Sequence, residues 1–327
     1  MSDDAYTQEK RHVQGGGRRS APLPSLLTTS TAILVVMSAA LLALAGCGYS
    51  STVKDGGPVT TVAGTGTTES TGPTTDTTTP EQTTTTVPGE TVDVLAFFMK
   101  GEYLAPVRRH VPATKEVAKA AMMELVAGPT AEEQAAGFVT AIPDKTLFLG
   151  VEMQGSVATV DLSKEYESGG GSMSMFARLG QVVYTLTQFP SVSSVSFKLD
   201  GQPIEVFSGE GLLLEHPMTR ADNEYVTNPI HVESPVFGDT VTSPLRIYGT
   251  SNVFEATSQV RILDSAGGTL NEVYVTATSG TGTRGTYDVT VPFTAAPGSD
   301  ITLMSFEYSA KDGSMINISE IPLHVAP

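Results

Sequence analysis

The residues Leu44-Ala45-Gly46-Cys47 place the only cysteine of the chain directly behind small and apolar side chains. A thiol there is the acceptor that diacylglycerol transfer needs, whereas an ordinary secretory cleavage site requires small residues alone. The apolar run from about residue 32 to 45 falls short of the roughly 20 residues that span a membrane, and Lys10, Arg11, Arg18 and Arg19 precede it. Basic head, short apolar middle and small residues before the cut describe a bacterial lipoprotein signal over 1–47, with Cys47 as the lipidation site. An uncleaved helical anchor lengthened by Leu26 and Leu27 is the alternative. Both readings put the remainder outside the cell, on the extracytoplasmic face of the membrane. Two or three acyl chains, at about 0.8 kcal/mol per buried methylene, hold a protein on a bilayer where one chain binds only marginally. Lipidation also consumes the thiol, leaving no disulfide, thiolate metal site or cysteine nucleophile.

Other reactive patterns are sparse. His12, His110, His216, His231 and His324 are far apart, and no two have the i, i+3 or i, i+4 spacing of a helical metal pair. His231, in the flank of a strand, reads as a surface or packed residue. No Gly-x-Ser-x-Gly elbow or phosphate-loop Gly-Lys-Ser/Thr occurs. Gly280-Thr281-Gly282-Thr283-Arg284-Gly285 fits the dinucleotide fingerprint by letter, but strand-like residues follow where a helix must open, so it reads as a hairpin loop. Asp161, Glu165 and Glu167 cluster behind a strand and read as exposed acids, with Asp161 suited to a turn or capping role. Arg108-Arg109 is the one strong basic feature of its region. It could grip a carboxylate partner bidentately or close a salt bridge inside the fold, and both remain open. Arg108, Arg109 and Asp161 are therefore the candidate interaction residues, and no enzyme activity, cofactor or metal is expected. The formal net charge of −16 excludes nucleic acid as a partner, because a phosphate backbone would be repelled.

These residues need elements to hold them. Between Ser50 and Thr91 stand 17 threonines and four prolines, with four valines as the only aliphatics larger than alanine, so residues 48–91 read as a disordered Thr/Pro linker. Its composition suits either an O-glycosylated stalk or a bare tether, which averages about 35 Å end to end as a flexible coil. From Val92 the pattern becomes periodic. Val94 to Phe98 and Leu104 to Val111 read as paired strands across a turn at Lys100-Gly101-Glu102. Val117, Ala121, Met122 and Leu125 mark a helix that Gly128-Pro129 stops, with Thr130 and Glu133 as the capping box of a second. Val157 to Ser163 is a strand, and Met175, Leu179, Val182, Val183 and Leu186 form the stripe of a helix lying on a sheet. A strand over Ser194 to Leu199 then turns at Asp200-Gly201. The expected fold of 92–207 is α+β, a small sheet with helices on one face. After a linker over 208–228, seven short strands within 229–327 predict an all-β, immunoglobulin-like sandwich.

At this point the chain resembles the GerMN domain of bacterial sporulation and spore germination proteins. The matching pieces are Leu104-Ala105-Pro106-Val107-Arg108-Arg109, Leu125-Val126-Ala127-Gly128-Pro129-Thr130, Thr140-Ala141-Ile142-Pro143, Ala158-Thr159-Val160-Asp161-Leu162-Ser163, the run from Gln181 to Pro190, and Asp200-Gly201-Gln202-Pro203. The second unit resembles the immunoglobulin-like domain attached to GerMN domains, through Pro229-Ile230-His231-Val232, Ser243-Pro244-Leu245, Phe254-Glu255-Ala256 and the run from Ser309 to Ser314. The resemblance implies a noncatalytic, lipid-anchored envelope protein that binds other proteins or its own copies, of the type linked to sporulation and spore germination. The alternative is a lipoprotein that binds peptidoglycan or another cell-wall glycan, with Tyr103, Tyr166 and Tyr184 standing in for the absent tryptophans. An envelope hydrolase is the poorest reading, since neither a catalytic triad nor a metal spacing is evident.

Overall fold

A computed structural model of the 327-residue chain describes residues 89–209 and 211–327. The signal expected over 1–47, with Cys47, and all but the last three residues of the Thr/Pro-rich stretch lie outside the described residues. β1 (Thr91–Lys100) and β2 (Tyr103–Pro112) pair antiparallel without a break from Thr91↔Pro112 to Lys100↔Tyr103. α1 (Val117–Ala127) buries Ala121, Met122 and Leu125, and Gly128, at φ 84°, ends it. Thr130 and Glu133 form both hydrogen bonds of the capping box on α2 (Ala131–Ala135). There follow β3 (Phe138–Val139), β4 (Phe148–Gln154), β5 (Val157–Leu162), α3 (Ser172–Leu186), β6 (Ser194–Leu199) and β7 (Gln202–Pro203). β8 (Val206–Phe207) and β9 (Leu212–Leu213) close a small hairpin.

The class is α+β, as the periodicities predict, with the strands divided between two sheets ordered β2-β1-β3 and β4-β5-β6-β7. β5 and β6 run parallel and α3 is the crossover between them. Leu179, Val182, Val183 and Leu186 of α3 enter a core shared with α1, β5 and β6, while Ala177 and Tyr184 meet Phe97 and Leu104 in a second cluster. A helix buried on both sides cannot carry a wet face. Its polar side chains turn inward onto β1 instead, beyond the short reach of β3, which pairs only Met99 and Lys100.

Gln188 accepts the Leu95 N–H at 2.7 Å and donates to the Leu95 carbonyl at 2.7 Å. Thr185 Oγ1 accepts the Phe97 N–H at 3.2 Å, and Gln181 Nε2 donates to the Phe97 carbonyl at 3.0 Å. The Gln181 Oε1 also accepts the Ala141 N–H at 2.8 Å. Three side chains spaced i, i+4 and i+7 thus stand where another strand would be, and they satisfy backbone groups that burial would otherwise leave unpaired.

The second domain holds β10 (Ile230–Ser234), β11 (Thr240–Val241), β12 (Leu245–Ser251), β13 (Thr257–Asp264), β14 (Thr269–Thr276), β15 (Gly285–Val291), β16 (Asp300–Tyr308) and β17 (Met315–Val325). Its sheets, β10-β12-β15 and β11-β17-β16-β13-β14, share a core that includes Ile230, Ile247, Val260, Ile262, Val291, Leu303 and Leu323. This is the all-β, immunoglobulin-like arrangement expected from the strand spacing. The glycine-rich stretch 280–285 is a turn leading into β15, with no helix behind it. Gly249 is required by close approach, because a Cβ there would stand 2.0 Å from the His231 carbonyl oxygen, at the β10 bulge between Val232 and Ser234.

Replacing Gln181 by leucine keeps the volume of α3 but strips the Phe97 carbonyl and the Ala141 N–H of their partners. The expected loss is about 1–3 kcal/mol, read as a lower midpoint in urea denaturation with an unchanged slope.

Candidate functional site

The three candidate interaction residues occupy separate places. Asp161 Oδ1 accepts the Gly201 N–H at 3.0 Å, tying the end of β5 to the β6–β7 turn. Arg109 forks onto Glu133, with Nη2 donating to Oε2 at 2.7 Å, and its Nε lies 3.3 Å from Glu124. Glu133 is 6% exposed, so a residue that the sequence marks only as a helix cap also neutralises a guanidinium in the interior. Arg108 donates through Nε and Nη2 to the two carboxylate oxygens of Asp239 at 2.8 and 2.9 Å, and its Nη1 reaches Asp93 at 3.3 Å. The hydrogen bond to Asp239 holds the Arg108 pKa above its ordinary value. Asp239 belongs to the second domain, so Arg108 points to the junction, where most of the unusual chemistry of the molecule lies.

The stretch 208–228, expected as a linker, is largely folded against the first domain. A 3-10 helix at Arg220–Val226 lies on α3, with Val226, Asn223 and Thr227 buried. Gly180 makes the approach possible, since a Cβ there would stand 2.8 Å from Val226 and 3.1 Å from Leu104. Tyr184 and Thr227 share a hydroxyl hydrogen bond of 2.7 Å. Arg220 stacks 4.6 Å from the Tyr184 ring and pairs with Glu233 of β10 at 2.6 Å. Arg284, before β15, forks onto Glu224 at 2.7 and 2.8 Å and also donates to the Asn228 carbonyl at 3.2 Å. Val107 and Phe237 form a parallel bridge, and the Phe237 ring lies 5.3 Å from that of Phe138. The sequence signal for this clamp was the pairing of basic residues with acids on the far side of the junction, which spacing alone does not reveal.

Residues 95–205 match the Germane family, described as sporulation and spore germination, and residues 229–314 match Gmad2, the immunoglobulin-like domain of bacterial spore germination. The chain carries a GerMN domain followed by a Gmad2 domain. Among solved structures, the first GerMN domain of the sporulation protein GerM from Bacillus subtilis is 22% identical, with 40% of this chain and 99% of that one covered and a TM-score of 0.36. The tandem GerMN domains of the same protein are 15% identical, covering 62% of each chain at a TM-score of 0.36. A Clostridium perfringens protein provisionally designated a lipoprotein is 20% identical, covering 40% of this chain and 89% of that one at a TM-score of 0.30. Among curated proteins none matches significantly.

Between the GerMN hairpin β1–β2 and strands β10 and β17 of the Gmad2 domain lies a cavity of about 150 Å³. Its walls are mainly apolar, and its polar contributors are Lys100, Tyr103, Asn228, His231, Ser319 and Glu320. Lys100 Nζ donates to the Glu320 carbonyl at 3.0 Å and sits 5.3 Å over the Phe138 ring. Burial holds its pKa below the usual lysine value, with the Glu320 charge partly opposing the shift. His231 is 2% exposed, its ring 6.0 Å from Phe97 and 5.4 Å from Tyr184, and its Nε2 makes no hydrogen bond. Burial first, then the charges of Arg220 and Arg284, push its pKa down to about 3. At neutral pH it is an uncharged imidazole inside the junction.

Of the tyrosines read as sugar platforms, Tyr166 and Tyr184 are buried within the GerMN domain and have no face to offer. Among the described residues no three of His, Cys, Asp and Glu converge as metal ligands, and no helix is long and apolar enough to cross a membrane.

The depressed pKa of His231 makes stability depend on pH. Above the unfolded value of about 6.5 both states are neutral at this residue and nothing is lost. Below it the unfolded chain binds a proton that the folded state refuses, so stability falls by up to about 1.4 kcal/mol per pH unit until the folded pKa near 3. The His231→Phe variant lacks this component. Urea unfolding from pH 7 to pH 4 should therefore show a shallower decline for the variant than for the wild type.

Proposed function

We propose that the protein is a noncatalytic, lipid-anchored component of the cell envelope whose joined GerMN and Gmad2 domains bind other proteins or copies of the same chain. Domains of these two families are those of sporulation and spore germination, which supplies the biological setting. The observation that carries the binding role is β4. It is the outer strand of its sheet, and large apolar side chains stand in water along it and just ahead of it: Leu149 at 49% exposure and Met153 at 47%, with Leu147 before the strand at 62%. An edge with unpaired backbone groups beside exposed apolar side chains is suited to accepting a strand or an apolar surface from a partner. Both domains are acidic, so a partner bearing basic residues around an apolar centre fits best.

A second reading, binding of cell-wall glycan, draws on a groove over β12 and β15 lined by Tyr248, Asp288, Thr250 and Thr286. Arg246 lies 5.1 Å over the Tyr248 ring and forks onto Asp288, so the aromatic face that a sugar would stack on is already covered.

Two experiments test the leading reading. Crosslinking in intact cells should capture the protein with a partner or a second copy, and Leu149→Arg combined with Met153→Arg should abolish the adduct while leaving the thermal midpoint within about 2 °C, as for surface substitutions generally. Recovery of the monomer alone from wild-type cells would count against assembly. Cys47→Ser should release the protein from the membrane fraction or leave it unprocessed; unchanged mass and unchanged membrane retention would refute lipidation.

A further inference from the structure

We propose that a surface groove of the Gmad2 domain, beside the turn at Phe254–Ala256, docks a short basic segment of a partner protein. An arginine or lysine of that segment meets Glu255 and Glu307, and an apolar side chain next to it covers Phe254 and Ile316. This goes beyond the role given to β4 and does not depend on it, because the groove lies on the other domain.

The groove has a volume of about 400 Å³ and runs between the turn at Phe254–Ala256 and the hairpin of β16 and β17. Phe254 stands at 63% exposure, with Tyr308 at 44% and Ile316 at 40% on the hairpin side. These are large apolar faces in contact with water, all of them open to a ligand, and covering them is favourable.

The exposure of Phe254 is built into the backbone. Glu255 and Ala256 after it are both left-handed at φ 55° without being glycine, and Asn317 on the hairpin side is left-handed at φ 53°. Hydrogen bonds brace the turn. Thr281 Oγ1 accepts the Glu255 N–H at 3.1 Å, the Val253 carbonyl accepts the Thr281 N–H at 2.9 Å, and Asn252 Oδ1 accepts the Gly282 N–H at 2.9 Å. The glycine-rich stretch that spells a dinucleotide fingerprint thus serves as a brace. A braced turn that holds a phenyl ring in water is preorganised for contact, which lowers the cost of binding.

Charge names the occupant. No lysine or arginine lines the groove. Among the described residues neither Glu255 nor Glu307 enters an ion pair, whereas Glu224, Glu233, Glu272 and Asp288 each hold an arginine. Asn317 Nδ2 donates to Glu307 and fixes that carboxylate in place. Arg261, which reaches the Tyr308 hydroxyl at 3.4 Å, is already bound to Glu272. Two uncompensated carboxylates beside aromatic rings attract a cation, through charge and through the ring faces. A neutral sugar would leave those charges unanswered, and an anionic polymer would be repelled. Phe254 stands at the rim, so an occupant that covers it as well as the groove is a segment of chain and not an isolated cation.

The test selects displayed random heptapeptides on the full-length protein in detergent micelles and measures the recovered peptides by fluorescence anisotropy. Their sequences should carry arginine or lysine next to an aliphatic or aromatic residue, bind saturably, and weaken about tenfold or more when glutamine replaces the cation. Phe254→Ser should weaken them by a similar factor, as should Glu255→Gln combined with Glu307→Gln. The thermal midpoints should hold, because Phe254 and Glu255 are exposed and glutamine keeps an acceptor for Asn317. Leu149→Arg with Met153→Arg, on β4, should leave this binding intact, so the two surfaces stand or fall separately. Recovery of no saturable peptide, selection of uncharged or acidic sequences, or undiminished binding to a folded variant of either kind would each overturn the proposal. So would an oligomer of N-acetylglucosamine that binds the wild type in place of the peptides and is lost in Phe254→Ser.

Discussion

The structure turns on how the open edge of β1 is satisfied. β1 lies under α3 with apolar side chains buried on both faces, Ala96 and Phe98 on one and Phe97 and Met99 on the other. Such a strand cannot leave N–H and C=O groups bare, since each unpaired buried group costs about 1–3 kcal/mol. β3 is too short to cover the edge, and Gln181 and Thr185 of α3, with Gln188 just past its end, take its place. Those bonds fix the height and rotation of α3 over β1. The fixed helix in turn presents Tyr184 and Gly180 to the 3-10 helix at Arg220–Val226, and this segment carries Glu224 to Arg284 and leads into β10. The geometry of the junction is thereby inherited from a polar stripe inside the GerMN domain.

Much of this architecture was legible in the residues. The turn at Gly101, the helix stop at Gly128-Pro129, the Thr130/Glu133 capping box and the alternation of Val195, Phe197 and Leu199 are local signals, and the elements lie where those signals put them. The α3 stripe was legible only in part. Met175, Leu179, Val182, Val183 and Leu186 announce a helix on a core, but their spacing does not say whether Gln181 and Thr185 meet water or a strand edge. Polar residues at helical spacing are ambiguous by nature, because water and a strand edge offer the same hydrogen bonds.

The candidate site was less legible still. Arg108 and Arg109 were recognised as groups able to fork onto carboxylates, but their partners, Asp239 and Glu133, are 131 and 24 residues away. Pairing over such separations is decided by tertiary approach, and a single sequence holds no periodicity that encodes it. The same holds for 208–228. It was expected as a linker, whereas Asn223 and Val226 are buried by the close passage that Gly180 allows, and Met218 is buried beside β6 through its bridge with Val195. His231 was read as surface or packed, and the structure gives the second, with an environment that keeps it neutral.

The unbroken β1–β2 ladder has a mechanical meaning. β1 is the strand through which the chain enters the described fold, and its partner runs antiparallel beside it from Thr91 to Lys100. A tug applied at Thr91 along the strand axis strains all of those rungs together, as in a lap joint, instead of peeling them one at a time. If, as proposed, the chain is anchored ahead of Thr91 and a partner holds the Gmad2 domain, tension passes from β1 through the α3 side chains and the Arg220 and Arg284 clasps, so the hardest-wearing part of the molecule lies on the line between those two points.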